Sequence, residues 1–355
     1  MSGSRVCLFA NTFLDIVLTN LPAAAIRLGA QMMKAAICTG YGSADVVRIV
    51  DVPKPVAGDD EILIRVRAMT VTSGDWRIRS LEMPPGFGPI ARLIFGITKP
   101  RQPILGSEVA GEVEAVGKDV SKFRVGDRVV AFDGSGLRCH AEFKCIRESG
   151  NVVRIPDQMD FTTAAALPFG GTTAMDFLRR VGLTAGEKIL VIGASGSVGS
   201  AAVQLARHRG AHVTGVCSSA NVEMVRSLGA ERVIDYGKED VTSLDPDFDV
   251  VMETVGALNL TQSLRLLRSG GRAAMIAGSL SDMLTASWKS KSRGLKAVVG
   301  PAAEKHEDLQ EIVALAAEGI FRPVIEHTYA FDEIAEAHRR VQQRRKRGNL
   351  VITLP

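Results

Sequence analysis

Paired cysteines are missing from this sequence. Its five cysteines are scattered and odd in number, and no two of them form a C-x-x-C pair. A reducing compartment explains this usage more simply than a disulfide framework does, so we expect a cytoplasmic protein. The cysteines are Cys7, Cys38, Cys139, Cys145 and Cys217.

Excess charge of one sign and long apolar runs are also absent. The formal net charge is +4 over 355 residues, which does not indicate a nucleic-acid partner but suits an anionic cofactor. Residues 6–26 are fairly apolar, but Asp15 and Pro22 interrupt them, so we expect no membrane span. The composition, 46% hydrophobic and 23% charged, is typical of a soluble globular protein, and the length suggests about two domains.

Residues 1–31 stand apart as an extension of uncertain role. Arg5 followed by an apolar run, with three alanines at 23–25, is similar to a targeting segment with a cleavage site, although Asp15 counts against export. The alternative is a start codon placed too early, with Met32 or Met33 as the true first residue. Both hypotheses leave this segment outside the fold.

A strand, a glycine turn and a helix follow one another at residues 188–207. The run 188–192 is typical of a buried parallel strand, and a helical pattern begins at Val198. Between them, Ala194, Gly196 and Gly199 keep the spacing of G-x-G-x-x-G, with alanine at the first position. Gly196 lets the backbone approach a pyrophosphate, which the free amides and dipole of the helix N-terminus attract. The predicted dinucleotide-binding residues here are Ala194, Ser195, Gly196, Ser197, Val198 and Gly199.

Short predicted strands with glycine and proline turns precede this βαβ region. Such a pattern favours a compact β-barrel-like unit in the first half of the chain. The predicted strands cover residues 34–38, 46–50, 61–67, 106–116 and 127–132.

Motifs at residues 106–117 and 123–130 are the most specific part of a pattern that runs along the chain from residue 33 to residue 355. Further parts lie at residues 71–75, 164–168, 171–174, 233–236, 249–256 and 348–352. Together they resemble the medium-chain dehydrogenase/reductase superfamily, in its zinc-free quinone oxidoreductase-like branch. The resemblance implies an α/β fold in which a GroES-like β-rich catalytic domain, residues 32–157 and 301–355, carries an inserted Rossmann domain with a doubly wound parallel sheet, residues 158–300. It also implies a homodimer.

Zinc-dependent members of this superfamily carry a histidine ligand in the motif that reads Gly106-Ser107-Glu108 here. Ser107 takes the place of that histidine, and residues 72–74 and 167–169 offer no cysteine at the other ligand positions. Zinc needs several thiolate or imidazole ligands held together. We therefore expect no metal site.

The end of the second Rossmann strand, residues 212–217, indicates which dinucleotide binds. NAD-specific folds place a carboxylate there for the ribose 2′-hydroxyl, whereas this sequence continues with Ser218, Ser219 and Asn221. Hydroxyls can donate to a 2′-phosphate that a carboxylate would repel, so we predict NADPH. In related NADPH enzymes a lysine stands near the position of Asn221, and Arg226, one turn further on, could replace its charge.

The rest of the predicted cofactor site comes from the resemblance. Tyr236 is similar to a position that lines the adenosine ribose. Thr173, on a helix predicted for residues 161–181, matches a threonine that contacts the nicotinamide portion in relatives. Ligands of doubly wound sheets bind at the carboxyl ends of the strands. At the ends of the fourth, fifth and sixth strands we expect backbone contacts from Val255, Gly278 and Val299.

The expected absence of a metal limits which acceptors the nicotinamide can reduce. Hydride transfer belongs to the nicotinamide, while the protein positions the acceptor. A conjugated carbonyl or a quinone is an easier acceptor than a simple ketone, because the enolate needs only hydrogen-bond donors and a proton. We predict a hydrophobic small-molecule acceptor, namely a quinone, an enone or an alkenal. The candidate catalytic residues are Asp75, which matches an aspartate of the family, and Arg77, which could polarise a carbonyl.

Two further segments bear on the cleft. Residues 81–103 form an apolar loop with a short helix near 90–95, which we interpret either as a substrate lid or as an ordinary surface loop. The basic cluster at residues 344–347 is typical of a solvated helix end.

Two alternative functions remain open. One is an enoyl thioester reductase, although the catalytic tyrosine of some such relatives has no counterpart, since no tyrosine lies between Tyr41 and Tyr236. The other is an NADPH-binding sensor or scaffold with little catalysis, for which the departures from the family pattern at Ser73, Gly74 and Asn221 leave room.

Overall fold

The structure, a computed structural model, describes residues 31–355. The predicted extension, residues 1–31, therefore lies outside the described residues apart from Gln31. Two large sheets and one two-stranded sheet organise the described part of the chain. Their strands are β1 (Met32–Cys38), β2 (Val47–Pro53), β3 (Glu61–Thr70), β4 (Glu108–Val116), β5 (Arg128–Phe132), β6 (Phe143–Arg147), β7 (Val152–Arg154), β8 (Lys188–Ile192), β9 (His212–Cys217), β10 (Arg232–Asp235), β11 (Phe248–Glu253), β12 (Leu267–Met275), β13 (Lys296–Val299), β14 (Ile325–Ala330) and β15 (Asn349–Thr353).

The helices alternate with strands only in the second half of the chain. They are α1 (Ser73–Ser80), α2 (Gly88–Phe95), α3 (Phe161–Ala165), α4 (Pro168–Arg180), α5 (Ser197–His208), α6 (Val222–Ser227), α7 (Leu260–Arg265), α8 (Leu280–Lys291), α9 (His306–Ala317) and α10 (Ile334–Gln342).

The six-stranded sheet is a Rossmann sheet. Its strands are all parallel and follow the order β10-β9-β8-β11-β12-β13. From β8 the chain first builds the sheet outward through β9 and β10 on one side, and then crosses to β11 on the other side. Ligands bind at such a point, where the strand order reverses. All six residues of the central strand β11 are buried, as expected for a parallel strand covered on both faces. This confirms the predicted doubly wound sheet.

The seven-stranded sheet is the GroES-like part of the fold. It follows the order β14-β15-β3-β4-β5-β7, and β6 pairs with β3. Strand β15 lies antiparallel to β3, with Val351 opposite Thr70. A segment near residue 350 thereby joins the sheet that begins near residue 61.

The predicted helix over residues 161–181 is two helices in the structure. Helix α3 ends at Ala165, and α4 begins at Pro168. Proline has no N–H to continue the first helix, but its fixed φ suits the first position of the next one. A one-helix prediction is wrong here because the break depends on Pro168.

Helix α4 lies between the two sheets and is almost entirely buried. It packs against α5 and α9, and a Cβ on Gly171 would come within 2.5 Å of Ile312 Cγ1. One hydrophobic cluster includes Val191 of the Rossmann sheet, Val130 of the GroES-like sheet and Ile312 of α9. The core thus crosses from one sheet to the other.

The described cysteines, Cys38, Cys139, Cys145 and Cys217, are free thiols. Within residues 31–355, no helix combines the length and the apolar character that a membrane crossing requires.

Candidate active site

The glycine turn forms the predicted connection between β8 and α5. Gly196 is the N-cap of α5 with an extended backbone, φ −79° and ψ 177°. A Cβ on Gly199 would lie 2.1 Å from the carbonyl oxygen of Gly193, so only glycine permits this packing. A Cβ on Gly196 would meet nothing nearer than 3.5 Å and would occupy open space beside the turn. That space fits a phosphate approached by backbone amides.

Two adjacent cavities lie along the carboxyl ends of the Rossmann strands. The first, of 460 Å³, lies between the ends of β8, β9 and β11 and the segment 236–242. The second, of 390 Å³, runs from the glycine turn to α1. Both are lined by Tyr236, Val255 and Ala257, so together they form one elongated cleft. The second cavity is also lined by Ser73, Trp76, Arg77, Phe169, Gly196, Ser197, Val198, Gly199, Thr254, Gly256, Val341, Arg344 and Lys346.

A segment from the GroES-like part closes this cleft over the glycine turn. The amide of Gly348 donates to the carbonyl of Ser195 at 2.8 Å, and Ser197 Oγ donates to Asn349 Oδ1 at 2.5 Å. The interpretation of residues 344–347 as a solvated helix end is wrong for Lys346, which is half-buried and lines the cavity, whereas Arg344 is exposed and also lines the cavity. Helix α10 ends at Gln342, and a left-handed Arg344, φ +57°, turns the chain back toward the cleft.

Three cations therefore face the cavity: Arg77, Arg344 and Lys346. Arg77 and Arg344 lie 6.0 and 5.5 Å from the ring of Trp76. Burial and the nearby Arg344 lower the pKa of Arg77. Neither arginine has an ion-pair partner within residues 31–355, and two like charges beside one cavity suit an anionic ligand.

Polar side chains in the predicted 2′-phosphate region already form hydrogen bonds within the protein. Asn221 Nδ2 donates to Ser218 Oγ at 3.0 Å, while Ser219 Oγ donates to a carboxylate oxygen of Asp235. Asp235 ends β10, which pairs with β9, so the neighbouring strand supplies an acidic group that the second strand itself lacks. The hydroxyl of Ser219 is consequently engaged inside the protein.

The charges around this region also differ from expectation. Arg226 is paired with Glu223 at 2.6 Å, so its charge is already compensated. Lys238 lines the first cavity and lies 3.7 Å from Asp235. Tyr236 is 64% exposed and reaches both cavities.

The carboxylate of Asp75 accepts hydrogen bonds from donors within the protein. Its Oδ2 accepts from the amide and the hydroxyl of Thr72, both at 2.7 Å, as the capping box of α1. Its Oδ1 accepts from the amide of Gly106 at 2.9 Å. Asp75 is buried and is not among the residues that line the cavity. This geometry gives the candidate catalytic aspartate a capping role, because all of its donors are fixed neighbours.

The remaining predicted residues lie around the cleft in different roles. Val255 lines both cavities, whereas Ala194 is fully buried behind the turn. A Cβ on Gly278 would come within 2.8 Å of Val299 Cγ1, which shows close packing of the last two strand ends. Thr173 is buried on α4, one turn beyond the cavity-lining Phe169.

The first turn of α4 and the loop after β11 are held by two carboxyl groups that sequence reasoning missed. Glu108, fully buried beside Ser107, accepts from the amide of Phe169 at 2.6 Å. Glu253, also fully buried, accepts from the amides of Gly256 and Ala257 at 2.8 and 2.9 Å. Burial raises the pKa of both carboxyl groups. The partner of Glu108 is supplied by the tertiary fold, 61 residues along the chain, whereas those of Glu253 lie three and four residues after it.

Residues 81–103, interpreted from the sequence either as a lid or as a surface loop, contact the Rossmann part of the molecule and are not among the residues that line the two cavities. The amide of Leu280 donates to the carbonyl of Pro85 at 2.9 Å. Helix α2 follows, with Leu93 and Ile94 exposed. Within residues 31–355, no group of three or more His, Cys, Asp or Glu side chains is arranged to hold a metal ion.

Comparison with known proteins agrees with this architecture. Residues 58–173 match the family of alcohol dehydrogenase GroES-like domains, and residues 228–352 match the family described as zinc-binding dehydrogenase. A chloroplastic quinone oxidoreductase of Triphysaria versicolor is 30% identical over 92% of this chain and 99% of its own. An acryloyl-coenzyme A reductase of Metallosphaera sedula is 30% identical over 90% of this chain and 100% of its own.

A solved structure shows the same fold. The quinone oxidoreductase of Coxiella burnetii superposes with a TM-score of 0.82 at 27% identity, covering 92% of this chain and all of that one. The chain therefore belongs to the medium-chain dehydrogenase/reductase superfamily, in its quinone oxidoreductase-like group.

Proposed function

We propose that the protein is a zinc-independent, NADPH-dependent reductase that transfers hydride to a quinone or to the activated C=C bond of an enone or alkenal. The observation that carries this proposal is the continuous cleft from the glycine turn to an apolar wall of Trp76, Phe169 and Val341, with Arg77 beside it. When bound, NADPH supplies the hydride.

The chain's own residues would hold the dinucleotide along this cleft. The turn at Gly196 and the amides of the first turn of α5 face the diphosphate, while Arg344 and Lys346 supply positive charge from the opposite wall. The loop after β11, held by Glu253, lines both cavities. Thr173, Gly278 and Val299 remain predicted contacts of the nicotinamide half.

Preference for NADPH rests on the polar and cationic groups near the end of β9. Ser218 and Asn221 are neutral polar groups there, and Lys238 lines the first cavity together with Tyr236. A 2′-phosphate gains from such groups, whereas a free ribose hydroxyl gains from a carboxylate. Asp235 opposes this preference, but Ser219 and Lys238 already engage it.

At the acceptor end, hydrogen-bond donors are available for a developing enolate. Arg77 and Ser73, whose side chains carry hydrogen-bond donors, line the cavity, and a fixed donor aimed at a developing oxyanion lowers the barrier. Ser107 takes the place of the family's histidine ligand, and residues 72–74 offer no cysteine at the early ligand position, so strong zinc ligands are missing there. Arg77 is thus the proposed catalytic residue.

One assay tests the function. The full-length protein is incubated with NADPH or NADH and a panel of quinones, enones, alkenals and enoyl thioesters, and oxidation of the nicotinamide is followed. Turnover of a quinone or enone with NADPH supports the proposal. Turnover confined to thioesters favours an enoyl thioester reductase, an alternative to which the similarity with acryloyl-coenzyme A reductase lends weight. NADPH binding without turnover of any acceptor favours a sensor or scaffold.

We also infer a homodimer. Strand β13 is an edge of the Rossmann sheet, and the preceding α8 exposes Met283, Leu284 and Trp288 by 44%, 74% and 74%. An open strand edge beside large exposed apolar side chains favours pairing with another chain. The free thiols support the reducing, cytoplasmic location that we propose.

A further inference from the structure

Helix α2 presents an aliphatic face to solvent. Ile90, Leu93 and Ile94 on the helix, and Ile97 in the turn after it, follow the i, i+3, i+4, i+7 spacing of one helix face. Their exposed fractions are 40%, 68%, 57% and 66%. A surface helix normally carries polar residues on its outer face, so the outer face of α2 is unusual.

The inner face of α2 holds the helix on the protein. Ala91 is buried, and Phe87 and Phe95, four residues before and after it, are half-buried. Apolar residues on the inner side therefore supply the packing, and the aliphatic residues on the outer side are not required for it. The helix can stay in place while its outer face contacts another surface.

The turn after α2 is fixed by hydrogen bonds. The hydroxyl of Tyr41 donates to the carbonyl of Gly96 at 2.8 Å, and Arg92 Nη1 donates to the carbonyl of Ile97 at 2.6 Å. Gly96 has φ +124°, and a Cβ there would lie 2.1 Å from the carbonyl oxygen of Lys99. Because the main chain is held, the exposed side chain of Ile97 has a defined position before any partner arrives.

Cations accompany the aliphatic residues, and acidic residues do not. Arg92, Lys99 and Arg101 are exposed, and none of them forms an ion pair with another residue of 31–355. Burial raises the pKa of Tyr41, and Arg92 and Arg101 oppose this rise from nearby. Residues 83–103 contain no Asp or Glu. We call this surface the α2 face; it consists of Ile90, Arg92, Leu93, Ile94, Ile97, Lys99 and Arg101.

The α2 face is connected to the cleft in two ways. The chain reaches α2 from α1, which contributes Ser73, Trp76 and Arg77 to the lining of the second cavity. The loop between these helices is bonded to the Rossmann part, since the carbonyl of Pro85 accepts from the amide of Leu280. Leu280 begins α8, shortly after the carboxyl end of β12. The α2 face therefore lies beside the edge of the sheet at which the cleft is located.

These properties favour a lipid surface as the partner of the α2 face. Residues 81–103 line neither cavity, so the face is not the wall of a ligand pocket. Aliphatic side chains of an exposed helix can enter the acyl boundary of a bilayer without a partner of matching shape, and anionic headgroups attract neighbouring Lys and Arg side chains. The proposed dimer uses α8 beside the edge strand β13 and does not require α2.

We propose that the α2 face docks the protein on an anionic lipid surface, from which the cleft takes a lipophilic acceptor. The acceptor rests on the proposed quinone or enone reductase function, whereas the docking rests on α2. The four aliphatic side chains enter the boundary between headgroups and acyl chains, and the three cations contact lipid phosphate and carboxylate groups. Such a contact is reversible and weakens with salt, because part of its free energy is electrostatic.

Co-sedimentation of the full-length protein with vesicles tests the docking. Vesicles of phosphatidylcholine alone are compared, at low and at high salt, with vesicles in which about three lipids in ten are phosphatidylserine. One variant, Leu93→Ser with Ile94→Ser, removes aliphatic side chains, and a second, Lys99→Gln with Arg101→Gln, removes charge. Every variant keeps residues 1–31, so that segment contributes equally throughout. The matched controls make similar changes at exposed positions elsewhere, namely Val56→Ser with Val125→Ser, and Lys305→Gln with Arg322→Gln.

The natural protein should bind the anionic vesicles more tightly than the neutral ones, and high salt should weaken this binding. Loss of the two cations should lower the partition coefficient about 10- to 30-fold. Loss of the two aliphatic side chains should lower it at least about tenfold. The controls should bind as the natural protein does, and all variants should keep its melting curve, because every substituted side chain is exposed.

A second assay connects the docking to the acceptor. With NADPH as donor, turnover of a quinone with a long alkyl tail, held in the anionic vesicles, is compared with turnover of a short water-soluble quinone. Leu93→Ser with Ile94→Ser should lower the first rate about tenfold, in step with its loss of vesicle binding. The second rate should not change, because α2 lines neither cavity.

Three results overturn the docking. The first is equal sedimentation of the natural protein with neutral and anionic vesicles, or none with either. The second is natural binding by both α2 variants. The third is a lipid-free dimer that Leu93→Ser with Ile94→Ser converts to a monomer, which assigns the face to a second copy of the chain. Vesicle binding without turnover of either quinone instead overturns the proposed function, so the two failures are distinguishable.

Discussion

The imidazole of His338 meets that of His140 edge to face, with 5.4 Å between the ring centroids. Both residues are buried, and within residues 31–355 neither ring nitrogen of His338 has a hydrogen-bond partner. Burial, the neighbouring His140 and the Arg79 guanidinium lower the pKa of His338 well below its usual value. The folded protein therefore holds His338 in its neutral form.

Acid should destabilise the protein through His338. The unfolded chain protonates this histidine below about pH 6.5 and the folded one does not, so the free energy of unfolding falls by up to about 1.4 kcal/mol per pH unit below that point. The variant His338→Leu should lose this contribution. Urea unfolding at about pH 7.5 and about pH 5 measures it, with the exposed His212→Leu as control. Equal acid sensitivity in His338→Leu and the natural protein would contradict the assignment.

Two glycine substitutions should separate binding from stability. Gly196→Ala places a methyl group in open space at the cavity, so we expect at least about a tenfold loss of NADPH affinity with little change in melting temperature. Gly199→Ala forces its Cβ against the Gly193 carbonyl, which should destabilise the fold by about 1–3 kcal/mol as well. Thermal melts and NADPH titrations distinguish the two. Similar stability losses in both variants would refute this geometry.

The substitution Asn221→Asp should shift preference toward NADH. It keeps the shape of a residue whose Nδ2 bonds Ser218, but adds a carboxylate where a 2′-phosphate is proposed. We expect kcat/KM for NADPH to fall about 10- to 100-fold, with a much smaller change for NADH. Asn259→Asp, at the N-cap of α7, makes the same chemical change away from the cleft. An unaltered cofactor ratio in Asn221→Asp would argue against a phosphate at this position.

Two neighbouring arginines on α1 should behave differently. Arg77 lines the cavity, so Arg77→Ala should lower kcat about 10- to 100-fold with a normal melting curve. Arg79 is fully buried and donates to the carbonyl of Gly42 and to Gln342, so Arg79→Met should lower stability by about 2 kcal/mol or more. Steady-state kinetics and unfolding curves measure both effects. A normal kcat in Arg77→Ala would remove its catalytic role.

A charge on the exposed face of α8 should disrupt the proposed dimer. Leu284→Glu replaces a 74% exposed apolar side chain beside the edge strand β13. The substitution should change the stability of the monomer little, because the new carboxylate stays in solvent. Light scattering after size-exclusion chromatography should show a dimer for the natural protein and a monomer for the variant. Leu93→Glu, on the exposed face of α2, is the matched control. A monomeric natural protein would contradict the proposal outright.

Local pattern was sufficient to predict much of the fold. The strand predicted at 212–217 has the observed bounds, and the helix after the glycine turn was misplaced by one residue. Periodicity and turn residues carry this information because they act over a few neighbouring positions. The helix predicted over 161–181 failed at Pro168, where one residue outweighs the surrounding pattern.

Tertiary pairing decides the parts of the site that were not predicted. Ser219 was expected to be free for a phosphate, but the parallel pairing of β10 with β9 brings Asp235 to it. Lys346 was assigned to solvent, but the turn at Arg344 returns it to the cleft. Asp235 lies 16 residues from Ser219, and most of the cavity that Lys346 lines is formed by segments far from it in sequence, so no local pattern indicates either contact.

The hydrogen bond from Ser197 to Asn349 joins residues 152 positions apart. Contacts this distant close late, because the chain must first lose the entropy of a long loop. The glycine turn can therefore adopt its local conformation well before the segment of Gly348 and Asn349 packs against it. The complete cleft forms only in the fully folded chain. A dinucleotide that binds the finished cleft should slow hydrogen exchange most at this late-closing junction, around the amides of Gly348 and Asn349.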